Sequence, residues 1–108
     1  MDKKTLRAVN DELRVQDDTQ NLGLTIQLTG AAFTGTVTFE ASVDKATWVA
    51  CPVEPLAGGA TVTTATADGV WLASPGVLGF GLQGLAFRAR LSALTGGTVD
   101  VAFQPVVA

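Results

Sequence analysis

The stretch GTVTFEASVDKATWVACP, residues 35–52, has the alternation of a β-strand followed by a turn and a second strand. One face of the first strand is apolar, formed by Val37, Phe39, Ala41 and Val43. The intervening side chains are polar: Thr36, Thr38, Glu40 and Ser42. Such a two-sided strand fits a sheet with one buried and one outer face.

The turn at 44–47 leaves two registers open for the second strand. A three-residue turn pairs Ala41 with Val49 and directs Trp48 outward, whereas a four-residue turn pairs Val43 with Trp48 and buries the ring. Because DKAT contains no glycine, we expect the four-residue turn and a largely buried Trp48 at the margin of the sheet. The side chain of the turn's aspartate is expected to cap it.

Strand-like segments separated by turn signals recur along the rest of the chain, and no stretch has a convincing helical stripe. Beyond the segment at 36–43, they lie at 22–28, 48–53, 60–66, 70–74, 86–92 and 98–104, and ELRVQ can add an edge strand. The pattern predicts an all-β fold, a single antiparallel β-sandwich of about seven or eight strands, jelly-roll or immunoglobulin-like. A small β-barrel is the alternative.

The last two segments predict a hairpin with a three-residue loop at 95–97. In that hairpin Leu91 opposes Val101 on the inner face, as Ala89 opposes Phe103. Arg88 and Arg90 then point outward, with Asp100 as a diagonal neighbour of Arg90.

Charge is concentrated at the start of the chain. Residues 1–20 carry nine of the 17 formal charges, which indicates a polar N-terminal arm (1–20) ahead of a compact body (21–108). The net charge of −3 argues against nucleic acid as a partner. No stretch reaches the roughly 18 apolar residues of a membrane span, and none forms the apolar region of a secretory signal, so we expect no membrane and no signal-dependent export.

The residues of common catalytic and metal sites are scarce. The chain has no histidine and a single cysteine, Cys51, which we expect to be a small buried residue. GFGLQG at 79–84 matches G-x-G-x-x-G but lies in an all-β context rather than between a strand and a helix. We therefore expect no enzyme, no cofactor and no metal site.

The remaining candidate residues are those that serve interfaces. Arginine is favoured there because its guanidinium binds carboxylates in a fixed geometry. The candidate subunit or partner contacts are Lys3, Lys4, Arg7, Arg14, Arg88 and Arg90. Trp48 and Trp71 are candidates for the core or an interface, and aromatic sugar platforms are the alternative use for them.

Three segments, GTVTFEASVDKATWVAC, TATADGVWLA and LAFRARLSALTGGTVDVAFQP, resemble a pattern in small β-sandwich virion proteins of tailed bacteriophages. The resemblance covers about residues 35–104. Lys45 departs from it, since the pattern commonly has glycine after the aspartate, and so does the apolar tail PVVA at 105–108.

The resemblance implies a head decoration, tail or fibre component. We expect a capsid decoration, or cement, protein on the capsid surface, assembled in the host cytoplasm and bridging copies of the major capsid protein as a homo-trimer. A tail or head-fibre component involved in adsorption is the second hypothesis, and a carbohydrate-binding module using Trp48 or Trp71 is the third.

Overall fold

The structure, a computed structural model, describes residues 2–16, 21–30, 33–42, 44–73 and 86–107. Ten strands lie in these ranges: β1 (Asp2–Leu6), β2 (Glu12–Gln16), β3 (Asn21–Thr29), β4 (Thr34–Ser42), β5 (Val49–Ala50), β6 (Glu54–Pro55), β7 (Thr64–Ala65), β8 (Gly69–Ala73), β9 (Ala86–Gly96) and β10 (Val99–Val107). No helix able to cross a membrane occurs in the described residues.

The strands form two antiparallel sheets of five strands each. Sheet A has the order β1-β10-β3-β8-β6, and sheet B has the order β2-β9-β4-β5, with β7 also paired to β4. The two sheets pack together as a β-sandwich, which confirms the predicted fold class. Apart from β4 and β5, consecutive strands belong to opposite sheets.

The core lies between the sheets and follows the alternation in the sequence. On β4, Val37 and Phe39 are buried, and the Phe39 ring lies 5.5 Å from the Trp71 ring, centre to centre. The four residues predicted to face inward in the last two segments, Ala89, Leu91, Val101 and Phe103, are all buried, as are Phe87 and Val99. Cys51 is buried as well, as predicted.

The predicted hairpin between the last two segments is wrong. β9 pairs with β2 and β4 in sheet B, whereas β10 pairs with β1 and β3 in sheet A. The connection after Gly96 therefore crosses from one sheet to the other. Asp100 is therefore not a neighbour of Arg90. Its carboxylate instead accepts a hydrogen bond from the Thr5 hydroxyl on β1.

Residues 2–16 form edge strands of both sheets: β2 confirms the edge strand predicted for ELRVQ, and β1 lies where a polar arm was predicted. β1 pairs with β10 from Asp2 to Leu6, and β2 pairs with β9 from Glu12 to Gln16. Leu6 is fully buried in the core. The many charged residues of this segment predicted an arm, but its inner apolar side chains pack against the body of the protein. Residues 17–20 lie outside the described ranges.

The expected four-residue turn before Trp48 is also wrong. Ala41 pairs with Val49, and the Cys51 amide donates to the Phe39 carbonyl at 2.8 Å, which is the register of the three-residue turn. Lys45 supplies the left-handed conformation of this turn with φ of 62°. The predicted partner Val43 and the glycine-rich segment 79–84 lie outside the described residues.

Candidate interaction surface on sheet B

Strand register brings charged residues from three strands onto the outer face of sheet B. Arg88 on β9 lies opposite Arg14 on β2 and opposite Glu40 on β4. Arg90 lies opposite Glu12 on β2. Because alternate residues of β9 enter the core, these side chains share the face that points away from it.

Five of these residues form an alternating series, the ion-pair chain Arg14–Glu12–Arg88–Glu40–Arg90. Arg88 donates from Nη1 to Glu12 Oε2 at 2.7 Å and from Nε to Glu40 Oε1 at 2.8 Å. Arg90 donates from Nε to the same Glu40 oxygen at 3.0 Å, and Arg14 donates from Nε to Glu12. Three guanidiniums thus share two carboxylates, which leaves one positive charge in excess.

The ion-pair chain is unevenly exposed. The Arg88 and Glu40 side chains are 14% and 11% exposed, whereas the Arg14 side chain at one end is 50% exposed. At the other end Arg90 donates from Nη1 to Asn10 Oδ1 at 3.1 Å. Arg14 is therefore the member most accessible to a partner.

Trp48 packs on this ion-pair chain. The guanidinium carbon of Arg88 lies 4.3 Å from the centre of the indole ring and that of Arg14 lies 5.2 Å from it. Both distances are in the range of cation–π attraction. Trp48 is half-buried on the outer face of sheet B, against these two arginines. The expected largely buried ring is therefore wrong.

Hydrogen bonds to Asp44 hold the turn that positions Trp48. Its Oδ1 accepts from the amides of Thr47 at 2.8 Å and Ala46 at 2.9 Å and from the Ser42 hydroxyl at 2.9 Å. These bonds favour the ionised form and lower the pKa of Asp44 to about 2. The predicted capping role of Asp44 is confirmed.

Glu40 is held as a carboxylate by its two arginines. Its partial burial raises the pKa, but hydrogen bonds from Arg90 and Arg88, together with their charges, outweigh this effect and the net shift is downward. The guanidinium geometry is thereby stabilised by a partner that remains charged at neutral pH.

A polar cavity of about 430 Å³ adjoins the ion-pair chain. Its lining consists of Lys4, Asn10, Asp11, Glu12, Arg88 and Arg90. The structure therefore brings four of the six predicted contact residues to one region: Arg14, Arg88 and Arg90 in the ion-pair chain, and Lys4 in the lining of the adjoining cavity.

The other predicted residues lie elsewhere. Lys3 lies on sheet A, where it lines a cavity of about 210 Å³ with Asp100. Arg7 is exposed in the connection between β1 and β2. Trp71 belongs to the core, packed on Phe39.

Sequence reasoning missed Glu12 and Glu40 as partners of the arginines. Glu40 and Arg88 are 48 positions apart, and Glu12 and Arg88 are 76 positions apart. The alternation around Phe39 did place Glu40 on an outer face, but no local signal identified the strand that would lie beside it.

The described ranges contain neither a cluster of metal-ligating side chains nor an exposed thiol. Among those residues, no group of three or more His, Cys, Asp or Glu side chains could hold a metal ion. The Cys51 thiol is buried, which raises its pKa to about 11.

The arrangement of strands defines a two-sheet antiparallel β-sandwich, and comparison with known proteins extends this result. No known protein family and no curated protein matches the sequence. The fold is similar to the crystal structure of the SPBc2 prophage-derived protein YomS, with a TM-score of 0.61 and 12% sequence identity. The likeness covers 95% of this chain and 94% of that chain, and at this identity it concerns the fold.

Proposed function

We propose that this chain is a structural phage protein, a capsid decoration or cement protein that stabilises the head by non-covalent bridging of major capsid protein subunits. The observation that carries the proposal is the likeness to a prophage-derived protein over 95% of the chain. The resemblance of residues 35–104 to small virion proteins supports the same class. In this proposal the protein acts as a homo-oligomer, with a trimer expected, on the capsid surface.

The outer face of sheet B is the proposed contact with the capsid. Tryptophan and arginine carry most of the binding energy in many interfaces, because they combine a large apolar area with polar groups. Arg14 is half-exposed beside Trp48, and the ion-pair chain has one guanidinium more than its two carboxylates. A carboxylate of the capsid subunit beside an apolar side chain would complement both features.

Localisation in whole particles tests the proposed role. Cryo-electron microscopy of the phage that encodes this chain should place the β-sandwich on the outer surface of the head in many copies. Density at the tail or on fibres alone would favour the second hypothesis, a tail or head-fibre component. Absence from particles would contradict both.

A binding assay tests the proposed face. Heads prepared without the protein should bind the Arg14→Glu and Trp48→Ala variants at least about tenfold more weakly than the unaltered chain. Lys3→Glu, on the opposite sheet, is the matched control and should bind normally. Equal losses for Lys3→Glu and Arg14→Glu would contradict a specific role for sheet B.

The carbohydrate hypothesis has less support. A sugar would have to replace the guanidiniums that contact the Trp48 ring, and Trp71 is only 9% exposed. Binding of the chain to a glycan array, abolished in Trp48→Ala, would reverse this judgement.

A further inference from the structure

Exposed apolar side chains occur at opposite edges of the sandwich. Among the described residues the exposed large hydrophobic side chains are Val9, Val49 and Leu56, at 49%, 61% and 72%. Val9 lies in the connection that follows β1, one edge strand of sheet A, and Leu56 follows β6, the other edge strand of that sheet. Three strands, β10, β3 and β8, lie between β1 and β6 in this sheet.

An apolar cleft of about 420 Å³ lies beside Leu56. Pro55, Leu56 and Ala57 line it from one segment, and residues 68–71 line it from the other. The one charged residue in this lining is Asp68, which is exposed. An apolar side chain that enters beside a cation would match the apolar lining and the single negative charge of this cleft.

The cleft is preformed by backbone contacts. The Leu56 amide donates to the Val70 carbonyl at 2.9 Å, and Gly58 adopts a left-handed φ of 96° in the turn that follows. Gly69 packs beneath the Trp71 ring, since a Cβ there would lie 2.9 Å from the ring. Little ordering is therefore needed before a partner binds.

The turn that carries Val9 is equally well fixed. The Asp11 carboxylate accepts from the amides of Arg7 at 2.9 Å and Ala8 at 3.0 Å, and these bonds lower the pKa of Asp11. Asn10 adopts a φ of 76° and its amide donates to the Leu91 carbonyl at 2.8 Å. Val9 is thus presented by a turn bonded to β9, with the exposed Arg7 two positions away.

We propose that two copies of this chain associate head to tail, with Val9 of one copy in the apolar cleft of the next and Arg7 facing Asp68. The contact joins different surfaces of the two copies, so its repetition gives a closed ring or an open filament. This inference rests on the homo-oligomer in the proposed function and gives it a specific contact. It does not depend on where in the particle the protein lies.

Sedimentation of the free chain tests the contact. The unaltered chain should associate with increasing concentration, and Val9→Glu should weaken that association at least about tenfold. Val49→Glu is the matched control, since Val49 is exposed to a similar extent but lies outside the contact. A monomer at all concentrations, or equal losses in both variants, would overturn the proposal.

The charged half of the contact has its own matched pair. Asp68→Asn removes the charge but keeps an oxygen that can accept from the Gly30 amide, as Asp68 does at 2.8 Å. It should weaken association and reduce its sensitivity to salt, whereas Glu54→Gln on β6 should not. The opposite order of effects would contradict the pairing of Arg7 with Asp68.

Cysteine cross-linking distinguishes head-to-tail from two-fold association. Val9→Cys and Ala57→Cys chains should form a disulfide when mixed and little when each is alone, because the buried native thiol is protected. A mixture of Val49→Cys with Ala57→Cys is the control and should not cross-link. Disulfides formed only between identical variants would show a two-fold contact and overturn the proposal, whatever the location in the particle.

Discussion

The guanidinium of Arg88 lies 4.3 Å from the centre of the Trp48 ring and also binds two carboxylates, those of Glu40 and Glu12. One side chain therefore ties the turn before β5 to three strands of sheet B. The surface on which the proposed function depends is thus part of what stabilises the sheet.

Arg88 should contribute measurably to stability. Arg88→Met would leave Glu40 with one arginine instead of two and remove the nearer of the two guanidiniums at Trp48, so we expect a loss of about 2 kcal/mol in the free energy of unfolding. Urea unfolding followed by circular dichroism measures this. Arg7→Met, in the exposed turn, should change the free energy by less than about 0.5 kcal/mol. Similar losses in both variants would contradict a structural role for the ion-pair chain.

The two tryptophans should differ in their contribution to folding. Trp71→Ala removes a core ring packed on Phe39 and should cost about 3–5 kcal/mol. Trp48→Ala removes a half-buried ring with its cation–π contacts and should cost about 1–2 kcal/mol. Denaturant midpoints of the two variants provide the comparison, and a Trp48→Ala loss as large as that of Trp71→Ala would argue that Trp48 belongs to the core.

The N-terminal strands should be required for folding. Leu6 is fully buried whereas Leu56 is 72% exposed, so the same substitution can be compared at both sites. Leu6→Ala should lower the free energy of unfolding by about 2–5 kcal/mol and Leu56→Ala by less than about 0.5 kcal/mol. Thermal unfolding measures both. A negligible effect of Leu6→Ala would restore the interpretation of this segment as a separate arm.

Acid should weaken the turn before Trp48. In the folded chain the pKa of Asp44 is lowered from 3.8 to about 2, so the ionised carboxylate stabilises the fold above pH 3.8. That contribution is lost as the pH falls from about 4 to about 2. Asp44→Asn should therefore flatten the dependence of the urea midpoint on pH in this window. A smaller dependence of the same sign should remain in the variant, because the pKa of Glu40 is also lowered. If the urea midpoints of Asp44→Asn and of the unaltered chain changed equally between pH 2 and pH 4, the role of Asp44 would be contradicted.

Alternation in the sequence predicted which side chains face the core but not which strands are neighbours. Leu91 and Val101 point inward in a hairpin, and they also point inward when their strands lie in opposite sheets, because both arrangements direct them to the same interior. The arginine partners escaped prediction for the same reason. Glu12 comes beside Arg88 only after β2 has paired with β9.

The turn before Trp48 shows a limit of a different kind. The lack of glycine in DKAT predicts a longer turn, yet Lys45 occupies the left-handed position of a three-residue turn with φ of 62°. The hydrogen bonds of Ser42 and Asp44 hold the backbone there despite the unfavourable local conformation. The capping role of Asp44 is predictable from the sequence because its partners, the amides of Ala46 and Thr47, are two and three positions away.

The alternation of strands between sheets has a consequence for biosynthesis. β1 has its sheet partner almost a full chain length away, since Asp2 pairs with Phe103. A topology made of such distant pairings folds slowly, because long loops must close before they are stabilised. On the ribosome, sheet A stays incomplete until β10 has emerged, so the nascent chain carries unpaired strand edges until then and becomes competent for assembly only after β10 has paired with β1 and β3.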